Sequence, residues 1–199
     1  MIEAAAEAIR QGKPVILPTD TVYGLVTSPF SDAPVRRLYE LKGRGALQPS
    51  ALMAPGVAML FELVPELRGR SGMICRALLP GPFTLVLPNP ARRFRWLTAS
   101  KPDTIGVRVP VLQGDAERIL EAAGALVATS ANLHGGPESK RLEDVPEKLR
   151  RAAAAVVDGG ELPGVPSTVL DCTGAEPRVL REGAVTGVEA LERAQAALA

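Results

Sequence analysis

Short apolar runs that alternate with helical segments restrict the fold of this sequence more than any other feature. The runs at 15–17, 83–88 and 126–130 have the length of buried strands. Residues 31–43 and 115–123 carry apolar side chains at helical spacing. This alternation predicts an α/β (α+β) fold in which helices cover a twisted sheet. The same patterns add strands at 50–54, 104–110, 167–174 and 177–183, and helices at 2–11, 57–79, 142–153 and 188–198.

The spacing of the last two predicted strands indicates how the sheet is connected. Only a few residues separate 167–174 from 177–183, and so short a connection suits antiparallel neighbours rather than a helical crossover. We therefore predict a mixed sheet with parallel and antiparallel parts. The length of 199 residues, without an internal repeat or a low-complexity linker, predicts a single domain over residues 1–199.

The composition excludes several classes of protein. With 46% hydrophobic and 23% charged residues, the chain is globular rather than disordered. A formal net charge of +1 provides no global basic field of the kind that nucleic-acid-binding proteins use. No run approaches about 18 apolar residues, so we predict no membrane span. The N-terminus lacks the basic start and apolar core of a signal peptide, and we predict a cytoplasmic protein.

The two cysteines and the one histidine are too few for a metal site. Cys75 and Cys172 lie far apart in the sequence and form no CxxC pair. In a cytosolic protein such residues are most often reduced and buried. We therefore predict two buried thiols and no metal-ligating residues.

Polar residues follow the first predicted strand in "PTDTVYG", residues 18–24. Thr19, Thr21 and Tyr23 provide two hydroxyl groups and a phenol within five residues. Such groups can orient a small polar substrate, and an Asp-centred turn explains the same residues equally well.

Two cations follow the second predicted helix in "LKGRG", residues 41–45. Lys42 and Arg44 suit a polyanion, because arginine offers a planar fork of donors and lysine a compact charge. Cations at the end of a helix are also favoured by the helix dipole alone.

A third polar group follows a strand in "ATSANLHGG", residues 128–136. Ser130 and Asn132 are candidate ligand contacts, and a capped turn is the alternative explanation. His134 stands beside them, but a single histidine in a glycine-rich loop is most often simply solvated.

The remaining candidates lie on predicted strands. Arg108 has apolar neighbours in "IGVRVP", and a buried guanidinium needs a partner or a ligand because burying it alone costs several kcal/mol or more. Ser167 in "PSTVLD" and Arg181 in "LREG" follow near the end of the chain. The sequence contains no GxxxxGK[ST], GxGxxG, GxSxG or HExxH motif, so positioning and charge neutralisation fit better than covalent catalysis.

Taken in order, these segments resemble the YrdC/TsaC family, the threonylcarbamoyl-AMP synthases. The resemblance covers nearly the whole chain and rests on seven motifs, "PTDTVYGL", "LYELKGR", "PGPFTLVLP", "IGVRVP", "TSAN" with "GGP", "STVLD" and "LREG". It implies a YrdC-like twisted mixed sheet with a concave basic cleft. The paralogous branch typified by YciO lacks the KxR and SxN pairs, and this chain has both.

The resemblance also implies a reaction, a nucleotidyl transfer. L-Threonine and bicarbonate give a carbamate that attacks the α-phosphate of ATP, with Mg²⁺ as counter-ion, to form threonylcarbamoyl-AMP and pyrophosphate. Other proteins then transfer the threonylcarbamoyl group to adenosine 37 of tRNAs. The positions implied for catalysis are Lys42, Arg44, Ser130 and Asn132. Those implied for threonine and carbamate are Thr19, Thr21, Tyr23 and Arg108. Those implied for the nucleotide are Lys42, Arg44, Ser130, Asn132, Ser167 and Arg181.

Two alternatives remain open from the sequence. The same basic concavity could bind double-stranded RNA or tRNA without chemistry, although the low aromatic content of 4% argues against a dedicated RNA binder. The other alternative is a related enzyme that forms a carbamoyl-adenylate. In the segment 45–48, Gly45 replaces a proline that is usual in the family, and Gln48 stands where lysine is common.

Overall fold

One mixed sheet runs through the part of the chain that the computed structural model describes, residues 1–43 and 49–198. Within these residues the sheet has nine strands in the order β7-β1-β2-β6-β3-β5-β4-β8-β9. The strands are β1 (Val15–Pro18), β2 (Tyr23–Thr27), β3 (Ala51–Met53), β4 (Phe83–Pro88), β5 (Thr104–Arg108), β6 (Leu126–Ser130), β7 (Ala155–Val156), β8 (Thr168–Asp171) and β9 (Arg178–Arg181).

The pairing of the strands confirms the predicted mixture of directions. Three pairs are parallel, namely β1 with β7, β3 with β5 and β4 with β8. The other neighbours are antiparallel, including the late pair β8 and β9 that the short connection predicts.

Helices pack on both faces of the sheet. They are α1 (Ile2–Arg10), α2 (Asp32–Lys42), α3 (Val57–Leu63), α4 (Gly69–Leu78), α5 (Gly114–Ala123), α6 (Glu147–Ala152) and α7 (Gly187–Ala196). Successive strand residues point to opposite faces, so Ile16 joins the core under α2, α4 and α7, while Val15 and Leu17 join the core under α1 and α5. Helices α1 and α5 cover only part of their face of the sheet.

The end of α2 follows from its sequence. Gly43 adopts φ 63° and ψ 27°, a left-handed conformation that glycine tolerates without the steric cost of a Cβ atom. The helix therefore stops at Lys42, and that residue lies beside the C-terminal end of β6. The fold thus places one predicted cation at the end of a neighbouring strand.

Two predicted elements differ from the structure. The predicted polar cluster 18–24 ends inside a strand that the sequence did not predict, because Tyr23–Thr27 form β2 and all five residues are buried. The predicted helix 142–153 is instead a short 3₁₀ turn, Leu142–Asp144, followed by α6. Pro146 separates the two because it has no backbone N–H to donate within a continuous helix.

The thiols and the membrane prediction can also be compared with the structure. Cys75 and Cys172 are both free and buried, as predicted. Among the helices of residues 1–43 and 49–198, none has the length and apolar character needed to cross a bilayer.

Candidate active site

A cleft of about 590 Å³ opens on the same face of the sheet as α1 and α5, over the part that these helices do not cover. Small side chains form its floor, because Ala51 pairs with both Gly106 and Ala128 and so places three of them in one row across β5, β3 and β6. A Cβ atom at Gly106 would meet nothing closer than 3.7 Å. The floor is therefore open to a ligand that lies flat on the sheet.

The first polar cluster surrounds the ammonium group of Lys42 at one end of the cleft. Lys42 Nζ donates to Thr129 Oγ1 at 3.0 Å, to Asn132 Oδ1 at 2.9 Å and to the Ser130 carbonyl at 2.5 Å. Ser130 Oγ lies 3.3 Å from the same nitrogen. These acceptors are neutral oxygens, so they orient the ammonium group without cancelling its charge.

The loop after β6 is tied to this cluster by further hydrogen bonds. Ser130 Oγ donates to Asn132 Oδ1 at 2.6 Å, and Asn132 Nδ2 donates to the Gly136 carbonyl at 2.7 Å. The His134 amide donates to the carbonyl of Lys42 at 3.0 Å. The loop and the end of α2 therefore form one hydrogen-bonded unit, which holds Lys42, Ser130 and Asn132 together.

The second polar cluster contains Arg108, at the end of β5. Its Nη2 donates to Asp20 Oδ1 at 2.8 Å and lies 3.4 Å from Thr21 Oγ1. The side chains of Arg108 and Asp20 are only 12% and 9% exposed. Burial raises the pKa of Asp20, and the neighbouring guanidinium offsets this only in part.

Arg181 and Ser167 lie near Arg108 and add to the second cluster. Arg181 Nη2 donates to the Ser167 carbonyl at 2.7 Å, and Ser167 Oγ lies 2.8 Å from Thr84 Oγ1. The pKa of Arg108 is lowered first by burial, and the charge of Arg181 contributes in the same direction. Two guanidinium groups thus line this end of the cleft, and Asp20 is the ion-pair partner of one of them, Arg108.

The cleft has one positively charged cluster at each end and a small-residue floor between them. Cations placed in a partly desolvated cleft attract anions more strongly than cations in open water. The arrangement suits a ligand, or two ligands side by side, with anionic groups at both ends.

Two predicted site residues, Thr19 and Tyr23, lie outside the cleft lining, and a third falls outside the described residues. Thr19 Oγ1 donates to the Val22 carbonyl at 2.6 Å within the β1–β2 turn, and Tyr23 Oη donates to Asp158 Oδ1 at 3.0 Å on the far side of β1. Burial raises the pKa of Tyr23. Arg44, with Gly45 and Gln48, lies outside the described residues.

Other cleft residues escaped the sequence-based prediction. Thr129 contacts Lys42 directly; the sequence placed it in the same polar cluster as Ser130 and Asn132, but no catalytic or binding role was predicted for it. Lys101 and Glu138 also line the cleft, but no motif marks either position. In the described part of the chain, no group of three or more His, Cys, Asp or Glu side chains could hold a metal ion.

Fold and cleft together define an α/β protein whose sheet face carries a cation-lined cleft. A family model named Sua5/YciO/YrdC, with the description "Telomere recombination", matches residues 7–183. The chain belongs to the Sua5/YciO/YrdC family.

Curated relatives share the sequence over most of this chain. It is 36% identical over 183 residues to the threonylcarbamoyl-AMP synthase of Pyrococcus abyssi, with 92% of this chain and 54% of the relative covered. It is 32% identical over 186 residues to the enzyme of the same name from Bacillus subtilis, covering 93% and 54%. The chain thus spans about half the length of these relatives.

Solved structures share the fold. The crystal structure of P. abyssi Sua5 complexed with L-threonine superposes with a TM-score of 0.87 at 35% identity, over 96% of this chain and 56% of that one. Escherichia coli YciO gives a TM-score of 0.82 at 28% identity, over 96% and 92%.

Proposed function

We propose that this chain is an enzyme, a nucleotidyltransferase, that makes threonylcarbamoyl-AMP and pyrophosphate from L-threonine, bicarbonate and ATP. The observation that carries the proposal is the cleft with a cationic cluster at each end, since the reaction joins one anionic amino acid to one polyanionic nucleotide. The names of the P. abyssi and B. subtilis relatives, and the threonine complex of P. abyssi Sua5, support it.

The chemistry consists of two balanced steps. The amine of threonine attacks the carbon of bicarbonate, a C–N bond forms and water leaves, which gives an N-carboxylated threonine. An oxygen of this carbamate then attacks the α-phosphorus of ATP, the bond to the β-phosphate oxygen breaks, and pyrophosphate leaves. Negative charge grows on phosphoryl oxygens in the second step, so fixed cations lower its barrier.

The cluster around Lys42 is assigned to the nucleotide phosphates. Thr129, Ser130 and Asn132 hold the ammonium group in place, so little reorganisation is needed when charge develops on the ligand. Ser130 and Asn132 also bring polar side chains to the same spot. Arg44 follows Lys42 by two residues in the sequence, and we propose that it binds the same phosphates.

The cluster around Arg108 is assigned to threonine and its carbamate. A guanidinium group binds a carboxylate with two parallel hydrogen bonds, and Arg108 has an Nε–H without a partner among the described residues. Thr21 lies beside it. Ser167 and Arg181 lie near Arg108, and we propose that they contact the α-phosphate, the part of the nucleotide that must reach the carbamate for the reaction. Thr19 and Tyr23 would then act on the substrate only through the turn that carries Thr21.

We propose that Mg²⁺ arrives on the triphosphate of ATP and neutralises part of its charge. We propose that the product is consumed in the cytoplasm by tRNA threonylcarbamoyl-transfer proteins, which modify adenosine 37. The described helices include none that could cross a membrane. Residues 1–199 would act as a single domain.

The first test is pyrophosphate release from ATP by the purified chain with Mg²⁺ and bicarbonate, with and without L-threonine. We expect release that requires threonine and that serine does not reproduce. Lys42→Ala should lower the rate by about 10²–10³-fold, as loss of one preorganised donor does elsewhere. Lys148→Ala, an exposed lysine on α6, is the matched control and should keep the wild-type rate.

Absence of threonine-dependent release from folded protein would contradict the proposal. Binding of double-stranded RNA with a steep salt dependence, without ATP turnover, would instead support an RNA-binding module. Release that depends on another carbamoyl donor would support an enzyme that forms a carbamoyl-adenylate.

A further inference from the structure

Glu138 is the acidic side chain that lines the cation-lined cleft. Its Oε2 atom is buried, and none of the described residues donates a hydrogen bond to it. A buried carboxylate oxygen without a donor is costly, because it has lost its hydrogen bonds to water and gained none in return. The assignments made for the cleft so far leave this oxygen unexplained.

The backbone on both sides of Glu138 is anchored, so the carboxylate has a fixed place in the cleft. On one side, the Gly136 carbonyl accepts from Asn132 Nδ2. On the other, the Ser139 carbonyl accepts from the Tyr23 amide at 2.9 Å, and Ser139 Oγ donates to the Ala131 carbonyl at 3.0 Å. Glu138 is therefore held against the segment that carries Ser130 and Asn132.

The charge of Glu138 is unfavourable for a phosphate, so the carboxylate must face another part of a bound ligand. Lys42, Arg108 and Arg181 already provide for anionic groups. A carboxylate accepts hydrogen bonds and donates none when ionised, so its ligand must bring O–H or N–H donors. In a nucleotide, the sugar joined directly to the α-phosphate carries two neighbouring hydroxyl groups.

We propose that Glu138 binds the ribose hydroxyl groups of the nucleotide and selects ribonucleotides over deoxyribonucleotides. The inference rests on the proposed function, in which the cluster around Lys42 takes the phosphates. The ribose is joined to the α-phosphate by one ester bond, and Glu138 lies on the loop that follows Ser130 and Asn132, so a ribose on that side of the phosphates would meet its carboxylate. Charge-assisted O–H···O⁻ bonds of this kind are short and about twice as strong as neutral ones.

The test is equilibrium binding of ATP, 2′-deoxy-ATP and 3′-deoxy-ATP, without threonine or bicarbonate, so that it does not depend on turnover. For the wild-type chain we expect ATP to bind tighter than either deoxy analogue by about tenfold or more, as for other hydrogen bonds to a charged group. Glu138→Ala should reduce this ratio to about one, and Glu138→Gln should give an intermediate ratio.

Glu143→Gln, at an exposed acidic residue on the neighbouring 3₁₀ turn, is the matched control and should keep the wild-type ratio. Thermal unfolding of each variant separates loss of a ligand contact from loss of the fold. If Glu138→Ala strengthens binding of all three nucleotides and of pyrophosphate equally, Glu138 acts only as a repelling charge and the inference is wrong.

Two further outcomes separate this inference from the proposed function. Suppose that Glu138→Ala raises the threonine concentration needed for pyrophosphate release but leaves the ratio of ATP affinity to deoxy-ATP affinity unchanged. The carboxylate then faces the amino acid, and the inference fails while the synthase proposal stands. If the ratio of ATP affinity to deoxy-ATP affinity depends on Glu138 but no threonine-dependent pyrophosphate release occurs, the inference stands and the chain catalyses a different reaction. A chain that binds no ATP contradicts both.

Discussion

At the scale of single residues, the ion pair of Arg108 and Asp20 shows what a sequence can and cannot predict. A guanidinium inside an apolar strand requires a partner or a ligand, and that requirement is evident from "IGVRVP" alone. The partner lies 88 residues away, in the turn between β1 and β2. Pairing at such a distance depends on the order of the strands, which the local sequence does not encode.

The first prediction concerns the stability of this ion pair. Asp20→Ala leaves Arg108 and the Val111 amide without their acceptor, and we expect a loss of about 3–5 kcal/mol in the free energy of unfolding. Adding Arg108→Met should recover much of that loss, because the unpaired charge is then removed. Urea denaturation of the single and double variants measures both effects, and an additive pair would contradict the account.

The second prediction concerns the pH dependence of the same pair. The pKa of Asp20 is raised above its ordinary value of 3.8 because burial outweighs the attraction of Arg108. Between the ordinary pKa, which applies to the unfolded chain, and the raised pKa of the native state, the native state binds more protons than the unfolded state. The contribution of Asp20 to stability therefore falls as pH rises through this window.

The stability difference between wild type and Asp20→Asn should therefore grow in favour of wild type as pH falls through the raised pKa. It should level off below about pH 3.8, where both states hold the proton. Urea denaturation over this range gives the slope. A slope of the opposite sign would mean that the ion pair depresses the pKa, and that pairing rather than burial dominates.

At the scale of elements, the strands whose side chains alternate or form apolar runs were predictable, and β2 was not. Residues 23–27 look like a continuation of a polar turn, and only their pairing with both β1 and β6 makes them a central strand. The cleft floor could not be predicted from the local sequence either. Ala51, Gly106 and Ala128 carry no chemical signal, and their meaning comes from lying opposite one another.

The third prediction tests this floor. Gly106→Val adds a β-branched side chain that suits a strand, and the nearest atom to the new Cβ is 3.7 Å away, so the fold should tolerate it. The branches would project into the cleft, and we expect ATP and threonine affinities to fall by about tenfold or more, as clashes in a shaped pocket do.

Gly106→Ala is the matched control, because it adds only the Cβ atom. It should retain most of the binding and the thermal stability of wild type. Unchanged affinity in Gly106→Val, measured by calorimetry on protein with a wild-type melting temperature, would show that ligands do not lie on this part of the sheet.

At the scale of the whole molecule, the two cysteines report on the integrity of the core. Burial raises the pKa of Cys75 to about 12 and that of Cys172 to about 11, so neither is a thiolate at neutral pH. The sequence predicted buried thiols from their number and spacing. It did not predict that they belong to one continuous core.

The fourth prediction follows from those thiols. A thiol-specific disulfide reagent at about pH 8 should react with neither cysteine in the native chain and with both after denaturation, because the thiolate is the reactive form. The rate of reaction in increasing denaturant then measures opening of the core. Fast labelling of folded protein would contradict the packing around α4 and β8.

The central claim is that one cleft joins three small molecules into one product. Its most direct measurement is the fate of isotopically labelled bicarbonate, followed by mass spectrometry after incubation with ATP, Mg²⁺ and L-threonine. The account predicts a labelled threonylcarbamoyl-AMP that appears only when all three substrates are present and is lost in Lys42→Ala. An adenylate without the label, or no adenylate from chain that is folded and binds ATP, would contradict it.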